Sequence, residues 1–216
     1  MAGSSEVFER NYQDYCAQIA NVDLPAVANG LGIVPDGDRM FISFFDDKYF
    51  VSNRGIADAS GSRPDYVTFV ILAKYILLCP ERSHQDAEWV AFKDFKRATH
   101  FTNVNYFASD VERAIEKHFT GKLAELGGVC RRLGGFPVKM NSFDLGMQFN
   151  ALPRISLLLL FNDADEEFPA KSTVLFQKHA EYYLDPESLA MLGACLAKKL
   201  KQSMTDYMAA KTVLSG

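Results

Sequence analysis

Asp163, Asp165, Glu166 and Glu167 lie close together, making the most concentrated polar feature of the chain. Oxygens at this density suit a hard cation such as calcium or magnesium. Asp163, Asp165 and Glu166 are therefore the candidate metal ligands. The run departs from the EF-hand pattern, because Phe168 stands where the tight-turn glycine is required. The competing reading is a solvated loop whose carboxylates accept backbone N–H groups. Asp144 adds a further carboxylate: it alternates with Leu145 and so faces away from the apolar side of its strand. Pairing with Asp163 or Asp165 across a sheet is the arrangement that glycosidic or metal-assisted hydrolysis needs.

A second feature runs from Gly127-Gly128 through Arg131 and Arg132 to Gly134-Gly135. Paired glycines expose backbone N–H groups, and arginines hold anions bidentately, so Arg131 and Arg132 are candidate cofactor-binding residues. The segment matches neither the P-loop nor the dinucleotide fingerprint. Helix ends explain the glycines equally well. His84, His100, His118 and His179 are scattered, and no pair has the i, i+4 spacing of a helical metal site. His179, beside Tyr182 and Tyr183, is the first choice among them for a ligand contact. Cys16, Cys79, Cys130 and Cys195 form no C-x-x-C, which argues against a zinc ribbon, a thioredoxin motif or a local iron–sulfur loop. No serine occupies a G-x-S-x-G elbow. A Cys–His dyad from distant segments stays open. The sequence leaves open whether the protein is an enzyme and names no cofactor.

The net charge of −4 argues against general nucleic-acid binding, which needs a basic face to displace counterions. Lys198, Lys199 and Lys201 read as a solvated helix end. Hydrophobic residues at 48%, with 17 Phe and 9 Tyr, point to a globular chain with a large ring-filled core. Met1 to Arg10 is polar and carries no export segment, and the apolar stretch at residues 66–79 is interrupted by Lys74. The expectation is a cytoplasmic protein without membrane association, its oligomeric state undetermined.

The elements that position these residues emerge from periodicity. Residues 6–20 read as an amphipathic helix, and Asp23 caps a short helix ended by Gly30 and Gly32. Residues 40–45 and 48–52 read as a hairpin with Asp46-Asp47 between the strands, and residues 53–62 as a loop. Pro64 opens a helix, apolar nearly all round, that runs to Pro80. A further helical stretch carries Trp89, Phe92 and Phe95. Ser109 with Glu112 fits a capping box for another helix, and glycines at 121 and 127–128 break or kink the chain beyond it. Phe136, Val138 and Met140 alternate, as do Phe143, Leu145, Met147 and Phe149. Residues 155–161 read as a central strand and residues 173–176 as another. Asp185-Pro186 opens the last helix, with Leu189, Leu192, Leu196 and Leu200 on its inner face. Strands in two blocks among helices suit a single α+β domain over residues 1–216, an antiparallel or mixed sheet covered by helices, with the helix of residues 1–20 packed on it.

Asp144-Leu145-Gly146, Leu152-Pro153, the apolar run 158–161, Asp163-Ala164-Asp165-Glu166-Glu167-Phe168, Leu175-Phe176 and Tyr183-Leu184 come in an order that resembles domain-of-unknown-function family 3786. Leu72-Ala73-Lys74-Tyr75, Pro80 and residues 89–95 are similar to the middle of that family, so the likeness runs from about residue 20 onward. The resemblance implies a protein of bacteria or archaea, mainly anaerobes. Some members carry an added iron–sulfur segment, for which this chain lacks the cysteines. No catalytic residue is carried over. The leading expectation is a non-catalytic binding or accessory domain of anaerobic metabolism, acting on a protein partner or a cofactor. The alternative is a small-ligand- or metal-binding enzyme or carrier using the acidic loop 163–167 and the Gly/Arg segment 127–135.

Overall fold

The computed structural model describes residues 2–36, 39–95 and 107–214, which places His100 outside the described residues. Helix α1 (Ala2–Ala20) precedes α2 (Leu24–Leu31), whose N-terminus Asp23 caps by accepting the N–H of Ala26 at 3.2 Å. Gly32 closes α2 in the left-handed region, at φ 69°, a conformation a side chain disfavours. Next comes a four-stranded antiparallel sheet: β1 (Val34–Asp36), β2 (Arg39–Phe44), β3 (Asp47–Ser52) and β4 (Gly55–Asp58), in that order. Helix α3 (Tyr66–Leu77) is capped by Asp65 and buried on most sides, as its apolar composition predicts.

The second sheet has five antiparallel strands in the order β5-β9-β8-β7-β6. They are β5 (Trp89–Ala91), β6 (Phe136–Pro137), β7 (Leu145–Leu152), β8 (Ile155–Asn162) and β9 (Lys171–Gln177). The continuous apolar run makes β8 the central strand, buried along nearly its whole length. Helices α4 (Arg113–Phe119) and α5 (Leu123–Arg132) contact β9 and β7 respectively, and α6 (Pro186–Leu214) runs against α3, α4 and α5. The sheets meet where the Phe45 N–H donates to the Ala151 carbonyl at 2.9 Å. The core is one contiguous cluster that includes Ile19, Phe69, Phe149, Leu159 and Met204. Residues at both ends of the chain thus share one interior with the two sheets.

The architecture is α+β with antiparallel pairing, as expected, but it uses two sheets. Several local expectations are corrected. Trp89 opens a three-residue strand, followed by a 3-10 turn at Phe92–Asp94, where a helix was expected. Residues 55–58, read as loop, pair with β3 as β4. The hairpin turn is Phe45-Asp46, because Phe44 pairs with Asp47. Phe45 takes φ 53° without being glycine; its ring is buried edge-on against Phe44 and Phe149, and that burial with its N–H bond offsets the strain. The Ser109–Glu112 capping box does not form: residues Ala108–Glu112 make a π-turn, and the Glu112 carboxylate accepts from Val174 instead. Of the 136–140 alternation only Phe136–Pro137 is strand. Gly127 and Gly128 lie inside α5, whose buried Leu126, Val129 and Cys130 hold it helical through the glycines.

Candidate functional site

The acidic loop joins β8 to β9 and is tied to its surroundings by carboxylates. The Asp144 N–H donates to Asn162 Oδ1 at 2.9 Å, and Asp144 Oδ2 in turn accepts the N–H of Asp163 at 2.9 Å. Asp163 Oδ1 accepts the N–H groups of Ala164 (2.8 Å) and of Gly121 (2.7 Å), which pins the α4–α5 connection to the loop. Asp165 Oδ1 accepts from Glu167 (2.9 Å) and Phe168 (2.7 Å), and those N–H bonds hold its carboxyl below the ordinary carboxylate range. The Asp165 N–H donates to the Phe168 carbonyl at 3.0 Å, so the turn closes on itself and leaves Phe168 65% exposed.

Asp144, Asp163 and Asp165 do converge, on an open groove of about 790 Å³ shared with Glu116, Lys171 and Phe168. Their oxygens already serve backbone donors. Among the described residues no group of three or more His, Cys, Asp or Glu side chains is placed to hold a metal ion. Asp163, Asp165 and Glu166 therefore do not assemble into a three-carboxylate set, and Glu166 is absent from the groove lining. No residue of 127–135 lines the groove either, so the acidic loop and the Gly/Arg segment do not share this cavity.

The Gly/Arg segment is the end of α5. Gly135 donates its N–H to the Cys130 carbonyl at 2.9 Å and lies so close that a Cβ there would meet that oxygen and the Phe149 ring, each at 2.7 Å. The glycine serves packing, and the N–H groups of Gly127 and Gly128 belong to helix rather than to an anion nest. Arg131 and Arg132 are exposed, and the Arg132 guanidinium lies 4.4 Å over the Tyr207 ring of α6.

His179 sits elsewhere, in the 3-10 turn Lys178–Tyr182, and is 6% exposed. Its Nδ1 accepts the N–H of Asp86 at 2.8 Å, and its Nε2 faces the Arg154 carbonyl at 2.9 Å. It lines a separate cavity of about 430 Å³ with Arg154, Asp86, Gln85, Ser156 and Gln177. His118 lies beside Phe119, its ring pushed below the usual histidine range by burial and by Lys122 and Lys201. The four cysteines are free; burial pushes the Cys130 thiol up to about 12 and Cys195 to about 11, so both are poor nucleophiles.

Sequence reasoning missed the roles of three groups around the second sheet. Glu112 and Glu116, four apart on one helical face, accept the N–H groups of Val174 (3.0 Å) and Ser172 (2.9 Å) along the outer edge of β9. Burial, followed by the charge of Glu116, pushes the Glu112 carboxyl up, while the Val174 N–H opposes that shift. Arg154, in the β7–β8 turn, donates to the Gly30 and Asn29 carbonyls at 3.1 and 2.7 Å and so caps α2 from outside. The i, i+4 spacing of the glutamates was the available signal; Arg154 offered only its place after Pro153.

Among the described residues no helix is long and apolar enough to cross a membrane. A family model described as Domain of unknown function (DUF3786) matches residues 23–199. No curated protein and no solved structure matches the chain.

Proposed function

The chain belongs to the family of that unknown-function domain, and from this premise we propose that it is a non-catalytic binding or accessory domain of anaerobic metabolism that engages a protein partner through the β8–β9 loop. The observation that carries the reading is the turn at residues 165–168. Asp165 closes it with three bonds, and the Phe168 ring stands out at the rim of the groove. An anchor held rigid before binding loses little entropy on association, and aromatic anchors dominate interface energies. Glu166 and Glu167 are exposed beside it. The matching partner surface is an apolar pocket with a basic rim, which the carboxylates would steer into register.

The test compares proteins that co-purify with the wild-type chain and with Phe168→Ala at low and high salt. The expected result is a partner held by the wild type, weakened by salt and lost from Phe168→Ala, with thermal unfolding unchanged. Equal retention by both chains refutes the reading.

The groove supports a second reading, a small-ligand- or metal-binding enzyme or carrier. Its volume lies in the range of small-molecule sites, and it gathers Asp144, Asp163 and Asp165. Native mass spectrometry with metal analysis on protein purified without oxygen separates the two. A stoichiometric added mass that Asp144→Asn removes favours the ligand, and bare protein favours the partner.

A further inference from the structure

Residues 80–88 hold neither helix nor strand, yet they are fastened at alternate positions by the turn after β9. Glu88 accepts the Lys178 N–H at 2.9 Å through its carbonyl and the Lys178 Nζ at 2.6 Å through its carboxylate. Asp86 donates its N–H to His179 Nδ1 at 2.8 Å. His84 donates its N–H to the Tyr183 hydroxyl at 2.9 Å and accepts that hydroxyl at its carbonyl at 3.1 Å. The His84 ring stacks on Tyr182, 3.8 Å between centroids. The strap so formed borders the 430 Å³ cavity, which Gln85 and Asp86 line together with Arg154 and His179.

The histidine fastening depends on protonation. Nε2 faces a carbonyl, which only accepts, so Nε2 carries the proton and Nδ1 the lone pair that takes the Asp86 N–H. A proton added at Nδ1 sets donor against donor at 2.8 Å. The Asp86 carbonyl, 3.2 Å from Nδ1, is a longer contact and does not remove that conflict. We propose that His179 is a pH-sensitive clasp: neutral, it holds the strap 80–88 over the cavity, and charged, it releases the strap.

The titratable and charged groups around the ring come from each element packed there. The strap contributes His84, Asp86 and Glu88, the β7–β8 turn Arg154, and the clasp segment Lys178, Glu181, Tyr182 and Tyr183. Tyr75 of α3 lies behind, its hydroxyl taking the Arg154 N–H at 3.1 Å, and Lys74 pairs with Asp185 at 3.1 Å. Asp86 Oδ1 accepts the Glu88 N–H at 2.9 Å, Glu88 holds Lys178, and the Arg154 guanidinium serves α2. Asp86, Glu88, Lys178, Arg154 and Lys74 thus have their own partners, and the ring nitrogens contact the Asp86 and Arg154 backbone.

Residue-resolved amide hydrogen exchange on the full chain tests the clasp, with rates corrected for the intrinsic effect of pH. From about pH 8 down to about pH 5, the span in which histidine charges, Asp86 protection is expected to fall. Uptake of one proton per opening gives at most about tenfold per pH unit, reached only where the released ring is charged and the clasped ring is not. Leu192 in α6 keeps its protection throughout. His84→Phe retains the stack and the pH response, whereas His179→Gln, which has no charge to gain, loses the response. Asp86 protection that is flat with pH in the wild type, or that falls equally in His179→Gln, overturns the proposal. If His179→Gln fails to fold, the ring's own titration decides: its midpoint, read from the imidazole nitrogen shifts, must coincide with the loss of Asp86 protection in the wild type.

Discussion

Glu112→Ala and Glu112→Gln remove the same half-buried charge, but only alanine also removes the oxygen that accepts the Val174 N–H. Val174 is fully buried, so without that oxygen its N–H has no water to turn to. A buried donor left unpaired costs about 1–3 kcal/mol, and alanine's better helix propensity returns only a few tenths. Glutamine keeps an amide oxygen in reach, so Glu112→Ala is expected to be less stable than Glu112→Gln by about 1–2 kcal/mol. The pH dependence has a definite sign. Burial raises the Glu112 pKa in the folded state, so the folded protein binds this proton more tightly than the unfolded chain does. Its contribution therefore grows as pH falls from neutral through the raised pKa toward the ordinary glutamate value of 4.5, and is lost as pH rises again. Glu112→Gln lacks this increment, so its stability relative to wild type is highest at neutral pH and declines on acidification. Urea denaturation of the three chains at neutral and mildly acidic pH measures both effects. Equal stability of the alanine and glutamine variants refutes the edge-bond argument, and parallel pH profiles for wild type and Glu112→Gln refute the burial argument.

Tyr75→Phe deletes the hydroxyl that donates to the Leu31 carbonyl and accepts the Arg154 N–H, and denaturation should show a loss of about 1–3 kcal/mol. Gly135→Ala drives a Cβ into the Cys130 carbonyl and the Phe149 ring, and overpacking of this kind costs about 1–3 kcal/mol, read as a lowered Tm. The Lys199–Asp47 pair at 2.6 Å is partly exposed, so Asp47→Asn should cost no more than about 1 kcal/mol and less at high salt. A larger loss would mean that the pair holds the hairpin to α6 more strongly than an exposed ion pair can.

Strong local signals were legible in the sequence. Asp23 and Gly32 bound α2 because a cap and a left-handed glycine act within a few residues. The apolar run at 155–161 is a central strand because only burial on both faces accommodates it. The density of Asp163 and Asp165 marked the loop that borders the 790 Å³ groove. Leu152-Pro153 and Tyr183-Leu184 also gain a physical meaning. Pro153 packs where a Cβ on Gly32 would meet it at 2.9 Å, and Tyr183 fastens the strap at His84.

Weak or distant features were not legible. Strands β4 and β5 have four and three residues, too few to show a period, and they become strands only by pairing with β3 and β9. Gly127 and Gly128 read as breakers because helix propensity counts them alone, whereas packing on the sheet outweighs their cost. The site's partners were further still from sequence reasoning. Asp163 meets Gly121 across 42 positions, Glu112 meets Val174 across 62, and His179 meets Asp86 across 93. The sequence by itself determined the strongly patterned elements, such as α2, α3, β8 and α6, and where carboxylates crowd, since those properties act between neighbours along the chain. The tertiary structure decided what each carboxylate and ring nitrogen bonds to, because a buried N–H must take the acceptor that packing brings within reach.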